Sequence, residues 1–203
     1  MRNKILLVLG MTVSAVMLSS CNSMPKEIKA VDIKGETLYM RADGSGQIAY
    51  VEDFKENYLN FEELKGYIAA ELNSYNKKFG EKAAELSDIE LNEGRIKVVL
   101  TFKNSKVYTA FNGNKGENNV KFPKAAEALT EFTDTVFEEP DSGDNINKKA
   151  GDVLSDEYNI AVVEGFMNFQ TENKIKYYSG GILLDSHHLR VDEGNKAVVV
   201  YSK

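Results

Sequence analysis

Apolar and polar positions along the chain follow two periodicities, one typical of helices and one typical of strands. The clearest helical segment lies between Asn60, a good helix-capping residue, and Gly80, a common helix stop. Its apolar residues recur at steps of three and four, so they share one stripe of the helix surface. They are Phe61, Leu64, Ile68, Leu72, Tyr75 and Phe79. The pattern predicts a long amphipathic helix that covers a sheet.

Alternation with a period of two predicts two β-hairpins in the N-terminal half. Residues 36–41 and 47–51 flank an Asp-Gly pair, which is a strong turn signal. Residues 87–102 alternate on both sides of a Glu-Gly pair, and the apolar residues of each strand share one face. We therefore expect the second hairpin to bury one side and to expose the other.

The second half of the chain is predicted to contain shorter elements. A short helical turn is expected at residues 105–112, and Pro123 suits the first turn of another helix. The apolar stripe of that helix would consist of Ala125, Leu129, Phe132 and Val136. Strands are expected at residues 158–163, 167–170 and 174–178, followed by a closing hairpin of residues 189–192 and 196–201.

These elements predict an α+β fold in which antiparallel β-sheet hairpins are packed by two or three helices. Residues 36–203 would form a single globular domain. Residues 138–152 contain few apolar side chains, which predicts a mobile loop or a boundary between two lobes. Residues 141–147 have the composition of a calcium loop, but they lack the glycine that an EF-hand requires at its sixth position.

The N-terminus has the layout of a secretory signal. Residues 1–4 include two basic side chains, and residues 5–20 carry no charge and are mostly apolar. A transmembrane helix is the alternative, but such a helix needs roughly 20 apolar residues. This run is shorter and ends in two serines, so residues 1–20 are predicted to be a signal peptide.

The end of the signal, Leu18-Ser19-Ser20-Cys21, resembles the lipobox of bacterial lipoproteins. The resemblance implies that the Cys21 thiol receives a diacylglyceryl group with acyl chains such as palmitate, and that cleavage makes Cys21 the new N-terminus. Residues 21–35 would then be the lipidated cysteine and a polar tether, which at about 3.3 Å per residue reaches roughly 45 Å. The membrane would be a partner through the lipid on Cys21, with the domain facing outside the cytoplasm.

Composition narrows the possible functions. Removal of residues 1–20 takes two basic side chains with it, so the net charge changes from −6 to −8. An acidic surface is unsuited to phosphate backbones, and we therefore expect no nucleic-acid partner. Cys21 is the only cysteine. Once it is lipidated, the domain has no thiol for a disulfide, a nucleophile or a metal site.

Four further segments carry a wider resemblance. LYMRADG, VEDFKENYLNFEEL, YTAFN and KIKYYSGG are similar to segments of uncharacterised lipoproteins from Clostridium-like Firmicutes. The resemblance would cover most of the mature chain. It implies no particular chemistry, because that group has no established activity.

Both histidines lie in the segment Asp185-Ser186-His187-His188, which is a weak candidate for a metal or catalytic site. If a strand begins there, Asp185 and His187 share one face and His188 lies on the other. A zinc site needs three or four converging ligands, and the local sequence offers two. Structural or solvated histidines are the favoured interpretation, and we expect neither a metal nor a cofactor.

Two other groups of side chains are candidates for a site. Tyr108, Phe111 and Asn112 could line a ligand groove, although core packing with a helix stop is the favoured interpretation. The acids between residues 52 and 63 could include the carboxylate pair of a glycosidase. Acids near a helix N-terminus are also explained by capping and by the helix dipole, which is the favoured interpretation here.

The sequence therefore favours a lipid-anchored, non-catalytic domain that binds a ligand or helps to assemble an envelope complex. Its partner would be a protein or another component of the cell envelope. The alternative is a small cell-envelope hydrolase that uses carboxylates or the region of His187 and His188. A deep pocket with converging acids or histidines would favour the hydrolase, and a shallow surface with exposed tyrosines would favour binding.

Overall fold

The fold in the computed structural model is of the α+β class, as the sequence predicts. The structure describes residues 27–55, 60–112, 119–140 and 147–203. These residues form four α-helices and thirteen β-strands, and the strands pair mostly antiparallel. Within these ranges, none of the helices combines the length and the apolar character that a membrane span requires.

The described elements follow one another with short connections. The helices are α1 (Phe61–Phe79), α2 (Ser105–Asn112), α3 (Ala125–Glu131) and the short α4 (Ala150–Val153). The first strands are β1 (Thr37–Met40), β2 (Gly46–Asp53), β3 (Ala84–Asn92), β4 (Arg95–Phe102) and β5 (Asn119–Lys121). The remaining strands are β6 (Val136–Phe137), β7 (Lys148–Lys149), β8 (Tyr158–Glu164), β9 (Met167–Thr171), β10 (Ile175–Ser179), β11 (Ile182–Asp185), β12 (His188–Val191) and β13 (Lys196–Ser202).

Most strands belong to one of two sheets. The large sheet has the strand order β11-β12-β9-β1-β2-β4-β3, and the small sheet has the order β10-β13-β8-β5. β6 and β7 form a separate antiparallel pair. In the large sheet β1 and β9 pair in parallel, which departs from the predicted antiparallel arrangement. The two strands lie far apart in the sequence, so no local pattern indicates their pairing.

The long helix and both N-terminal hairpins are confirmed. Asn60 caps α1, because its Oδ1 accepts hydrogen bonds from the backbone N–H groups of Glu62 at 2.9 Å and Glu63 at 3.3 Å. The helix ends at Gly80, whose φ of 103° lies in a region that favours glycine. Leu72 is buried within the predicted stripe, which packs against the core. β1 pairs with β2, and β3 pairs with β4, as antiparallel hairpins.

The main core lies between the two sheets. One face of each sheet contributes to it, together with the apolar sides of α1 and α2. The opposite face of the small sheet packs against α3 and α4 and forms a second core. Successive residues of β8 alternate between the two, since Ala161 and Val163 belong to the main core and Ile160 and Val162 to the second. The small sheet is therefore buried on both faces.

The predicted closing hairpin of residues 189–192 and 196–201 is wrong. Both strands exist, but β12 pairs with β9 and β11 in the large sheet, whereas β13 pairs with β8 and β10 in the small sheet. The turn at Glu193-Gly194 therefore carries the chain from one sheet to the other. The alternation of apolar residues indicates which face of a strand is buried, but it does not identify the strand's partner.

The helix predicted to begin at Pro123 is short, and only part of its predicted stripe is buried. α3 covers seven residues, and Val136 lies beyond it on β6 with 50% of its surface exposed. Leu129 is 36% exposed, whereas Ala125 and Ala128 are buried in the second core. The predicted stripe is therefore confirmed at Ala125 and at Phe132, which packs against the second core, and it is wrong at Leu129 and Val136.

The segment predicted to be a tether is partly folded onto the large sheet. Its buried residues are Ile28, Ala30 and Ile33, which pack against Tyr39, Ala49 and Val99 on the outer face of that sheet. The backbone N–H of Ile28 donates to Gln47 Oε1 at 2.7 Å, and that of Ala30 donates to Asp88 Oδ2 at 2.9 Å. Residues 28–33 therefore belong to the folded domain rather than to a tether. The outer side of the second hairpin, predicted to be exposed, is covered in part by this segment.

The loop or lobe boundary predicted at residues 138–152 is described only at its two ends, since residues 141–146 lie outside the described ranges. The candidate calcium loop falls almost entirely on those residues. On either side β6 pairs with β7, and Phe137 and Ala150 are buried in the second core. The described flanks thus belong to one packed unit.

Candidate functional site

Tyr108, Phe111 and Asn112 lie on α2, and the structure places them in the main core rather than along a ligand groove. Asn112 connects two tyrosines. Its Nδ2 donates to Tyr108 Oη at 3.0 Å, and its Oδ1 accepts a hydrogen bond from Tyr50 Oη at 3.0 Å. Burial raises the pKa of both tyrosines well above the ordinary value, so the two hydroxyls stay protonated. The favoured interpretation, core packing, describes these residues.

Asp185, His187 and His188 do not share a strand. β11 ends at Asp185 and β12 begins at His188, so Ser186 and His187 form the turn between them. In this turn the backbone N–H of His187 donates to Asp185 Oδ1 at 2.7 Å, and His187 Nδ1 lies 3.1 Å from the Thr171 carbonyl oxygen. The predicted arrangement of faces is therefore wrong, and these contacts are those of a well-ordered turn.

His188 lies on the outer face of the large sheet, in an open row of half-buried polar side chains. Its Nε2 is 3.3 Å from Asn168 Oδ1, and burial lowers its pKa despite the nearby carboxylate of Asp185. Gln170 is its register partner on β9, and Arg190 follows on β12. Within the described ranges, no group of three or more histidine, cysteine, aspartate or glutamate side chains is arranged to hold a metal ion.

The acids near the start of α1 are solvated. Asp53 lies 3.7 Å from Lys55 Nζ and 3.9 Å from Arg95 Nε, and its side chain is 74% exposed. Glu62 forms an exposed ion pair with Lys65 at 2.9 Å. Cys21, the predicted lipidation site, lies outside the described residues, as does Glu56.

A cavity of 240 Å³ opens where the ends of several elements meet at one edge of the main core. We call it the intersheet cavity. It is bordered by the β1–β2 turn, the start of α2, the link from β5 to α3, the start of β8 and the end of β13. Its apolar wall is formed by Met40, Phe122, Tyr158 and Ile160. The sequence did not predict this cavity, since five segments from across the chain build it.

Asn159 supplies an unsatisfied polar group at the intersheet cavity. It lies on β8 directly opposite Tyr201 on β13, and both side chains line the cavity. Asn159 Nδ2 is buried and has no hydrogen-bond partner among the described residues. A buried polar group without a partner costs about 1–3 kcal/mol, and such groups are rare in folded proteins. Asn159 is therefore a strained point in the hydrogen bonding of the fold, and it lies beside the cavity.

The polar side of the cavity also carries charge. Lys124, Lys203 and Asp156 line it, and Lys203 Nζ donates a hydrogen bond to the Asp156 carbonyl oxygen. Burial raises the pKa of Tyr201, so its hydroxyl is protonated at neutral pH and can donate. The arrangement can therefore bind an acceptor group. Neither histidines nor converging carboxylates line this cavity.

Two larger surface grooves offer less to a ligand. One, of 790 Å³, contains Glu164, the half-exposed Phe166 and Lys196. Lys196 Nζ is already paired there, at 2.9 Å from Glu131 and 3.0 Å from Glu164. The other, of 580 Å³, lies between α2 and α3 and is lined by charges of both signs. The intersheet cavity is the smaller space, but it combines an apolar wall with polar residues from several segments of the chain.

One signal in the sequence could have pointed to Asn159. It is the only amide side chain within β8, whose other members from residues 160 to 163 are apolar. An asparagine on a strand face that otherwise carries alanine and valine needs a hydrogen-bond partner, because burial of an unpaired amide costs free energy. The identity of that partner depends on strands and loops from elsewhere in the chain.

Comparison of the chain with models of protein families, with curated proteins and with solved structures found no match.

Proposed function

We propose that this chain is a lipid-anchored, non-catalytic binding domain that works outside the cytoplasm, with the intersheet cavity as its binding site. The likeness of Leu18-Ser19-Ser20-Cys21 to a lipobox supports the anchor and the location. The observation that carries the binding function is the intersheet cavity itself, whose wall combines the apolar Met40 and Phe122 with the polar Asn159 and Lys124. The acidic net charge of −6 supports a partner other than nucleic acid.

The side chains on which a hydrolase would depend are engaged elsewhere. His187 is held in a turn by Asp185 and Thr171, and His188 contacts Asn168 on an open sheet face. A glycosidase needs two carboxylates at a fixed separation across its substrate. Asp53 and Glu62 are instead exposed and paired with basic side chains. Binding therefore has more support than catalysis.

In this proposal the hairpins of the two sheets, with the helices packed on them, form a rigid frame around the cavity. β8 and β13 lie side by side in the small sheet, which is buried on both faces. Asn159 and Tyr201 therefore have fixed backbone positions. A site on paired strands is held more precisely than a site on loops alone.

The anchor is tested with a Cys21→Ala variant of the full chain. Cells that express the wild type or the variant are labelled with a fatty-acid analogue. We expect label on the wild type in the membrane fraction, and no label on the variant, because the acyl-accepting thiol is absent. Equal labelling of the two proteins would contradict the proposed anchor.

The binding site is tested by an unbiased screen of small molecules against the ¹⁵N-labelled full chain, followed by NMR. We expect hits to shift the side-chain amide signals of Asn159 and the backbone signals of residues around the cavity. The Asn159→Leu variant should lose these shifts, whereas Asn73→Leu, at an exposed site on α1, should keep them. Hits that map only to other surfaces would refute the cavity as the site.

A further inference from the structure

Residues 28–33, which we call the strap, lie on the outer face of the large sheet without being part of that sheet. They precede β1, and their regular structure is a single 3₁₀ turn, Ala30–Asp32. None of the strand pairings in the described part of the chain includes them. The strap can therefore leave the sheet surface without breaking the backbone hydrogen bonds that join the strands.

The polar contacts of the strap are made by side chains from three different strands. Gln47 on β2 and Asp88 on β3 accept hydrogen bonds from backbone N–H groups of the strap. Lys97 Nζ on β4 donates to the Val31 carbonyl oxygen at 3.2 Å. The other carboxylate oxygen of Asp88 accepts from the backbone N–H of Ile89, so this side chain keeps a contact within the sheet. Three side-chain contacts, rather than a ladder of backbone bonds, thus hold the strap.

The apolar contacts of the strap are also few. Three of its side chains are buried against three side chains of the sheet, in a small cluster that contains Ile28, Ala30, Ile33, Tyr39, Ala49 and Val99. Val31, in the middle of the strap, is 62% exposed. The main core is far larger, since it joins both sheets to α1 and α2. A segment with few buried apolar contacts opens locally at a lower free-energy cost than unfolding of the whole domain.

Contacts of Glu36 set the limit of such an opening. Its carbonyl oxygen accepts hydrogen bonds from the backbone N–H of Asn168 at 3.0 Å and from Asn168 Nδ2 at 3.2 Å. Asn168 lies on β9, which pairs with β1. Residue 36 is therefore held to the sheet, and Lys34-Gly35 is the hinge between it and the strap. Opening of the strap stops before β1.

From these observations we propose that the strap releases as a unit while both sheets stay intact, and so switches the outer face of the large sheet between a covered and an uncovered state. Release uncovers an apolar strip formed by Tyr39, Ala49 and Val99. A partner that binds this strip would favour the uncovered state. The inference goes beyond the proposed function and does not depend on the intersheet cavity. With the anchor at Cys21 as proposed, a pull on the anchor would reach the strap before it reaches the sheets.

Amide hydrogen exchange of the ¹⁵N-labelled full chain, followed by NMR, tests the release. We expect the amides of Ile28 and Ala30 to be protected at least about tenfold relative to an unstructured peptide, because the docked strap hydrogen-bonds both of them. They should nevertheless exchange at least about 100-fold faster than the amides of Ala49 and Val99 in the strands beneath. Equal rates in the strap and the strands would mean that the strap opens only with the whole domain. That result, or a strap without any protection, would overturn the proposal.

Two variants test whether the strap moves as a unit. Ile28→Ala removes an apolar contact and should raise the exchange rates of the Ala30 and Ile33 amides together, by about tenfold. Asp88→Ala removes the acceptor of the Ala30 amide and should raise the rate of the Ile28 amide by a similar factor, although that amide has a different acceptor. Val31→Ala is the matched control within the strap and should leave the rates unchanged, because Val31 is largely exposed.

The contradicting outcomes are specific to this proposal. A change confined to the amide beside each substitution would refute release as a unit. The melting midpoint of Ile28→Ala should stay within a few degrees of the wild type, and a fall of roughly 10 °C or more would show that the strap is an integral part of the cooperative fold. None of these results bears on ligand binding at the intersheet cavity, which the unbiased screen tests separately.

Discussion

Two asparagines of this protein illustrate the difference between a satisfied polar group and an unsatisfied one. Asn112 lies in the main core, 9% exposed, and each end of its amide contacts a tyrosine hydroxyl at 3.0 Å. Asn159 lies at the edge of the same core, and its Nδ2 has no hydrogen-bond partner in the described structure. Both are polar residues among apolar neighbours. Only Asn112 has hydrogen-bond partners at both ends of its amide among the described residues.

The comparison has an energetic meaning. A satisfied buried hydrogen bond contributes about 0.5–1.5 kcal/mol, whereas an unsatisfied group costs about 1–3 kcal/mol. Asn112 therefore helps to hold α2 against β2, through its contact with Tyr50. Asn159 by itself works against the fold. Removal of each side chain should consequently change the free energy of unfolding in different directions.

The largest effect, expected for a purely apolar core residue, sets the scale for this comparison. Leu72→Ala should lower the free energy of unfolding by roughly 2–5 kcal/mol, because Leu72 is buried in the stripe of α1. Asn73→Ala, one residue further on the exposed side, should stay within about 0.5 kcal/mol. Chemical denaturation measures both. Equal midpoints would show that the buried face of α1 is assigned incorrectly.

Asn112→Leu tests the satisfied asparagine. We expect a loss of about 2–4 kcal/mol, since the variant leaves the buried hydroxyls of Tyr50 and Tyr108 without their partner. Tyr50→Phe in the Asn112→Leu background should then recover part of the loss, because it removes one of the two orphaned hydroxyls. A near-neutral Asn112→Leu variant in denaturation experiments would remove the distinction between the two asparagines.

His188 is an intermediate case, half-buried and with one polar contact, and its test is pH. Burial lowers its pKa in the folded state, so the unfolded chain binds the proton more readily. Stability should be unaffected by His188 above its ordinary pKa of about 6.5 and should fall as the pH drops below that value. Denaturation at several pH values should show a shallower acid decline for His188→Gln. An unchanged decline would mean that other groups dominate.

Asn159→Leu is expected to have a smaller effect on stability than Asn112→Leu. The substitution removes an unpartnered donor and adds apolar surface, so the free energy of unfolding should stay within about 1 kcal/mol of the wild type or rise. Thermal and chemical denaturation without added ligand measure it. A loss as large as that of Asn112→Leu would show that Asn159 has a structural partner after all, and the comparison would fail.

Local signals explain which parts of the fold could be predicted. The cap at Asn60, the stripe of α1 and the stop at Gly80 all lie within one segment, so the sequence was sufficient there. The hairpins β1–β2 and β3–β4 join neighbouring segments through short turns, and they were predicted for the same reason. The parallel pairing of β1 with β9 joins distant strands, and nothing local indicates it.

The same distinction between local signals and contacts from distant segments applies to the candidate sites. Tyr108 and Asn112 lie in the core, as the favoured interpretation predicts, but Tyr50, which completes their hydrogen-bond network, comes from β2. Whether a polar residue such as Asn159 is satisfied depends on partners from distant segments, so its sequence context marks it as unusual but does not show that it lacks a partner. The histidines were adjacent in the sequence, yet a turn at His187 separated their environments.

The packing of residues 28–33 on the large sheet has a consequence for distance. With the anchor at Cys21 as proposed, only residues 22–26 separate the lipidated cysteine from the first described residue, at position 27. At about 3.3–3.6 Å per residue, the path from Cys21 to Ile28 spans at most about 25 Å. A tether of the predicted length would have allowed roughly 45 Å.

The position of Ile28 also determines where the connection to the anchor leaves the domain. Gln47 holds Ile28 on the outer face of the large sheet, so the connection leaves from that face. The intersheet cavity opens at the edge of the core on the other side of this sheet. An anchored molecule would thus rest with its outer sheet face within about 25 Å of the bilayer. It would sample ligands from the thin aqueous layer above the headgroups rather than from far out in the envelope.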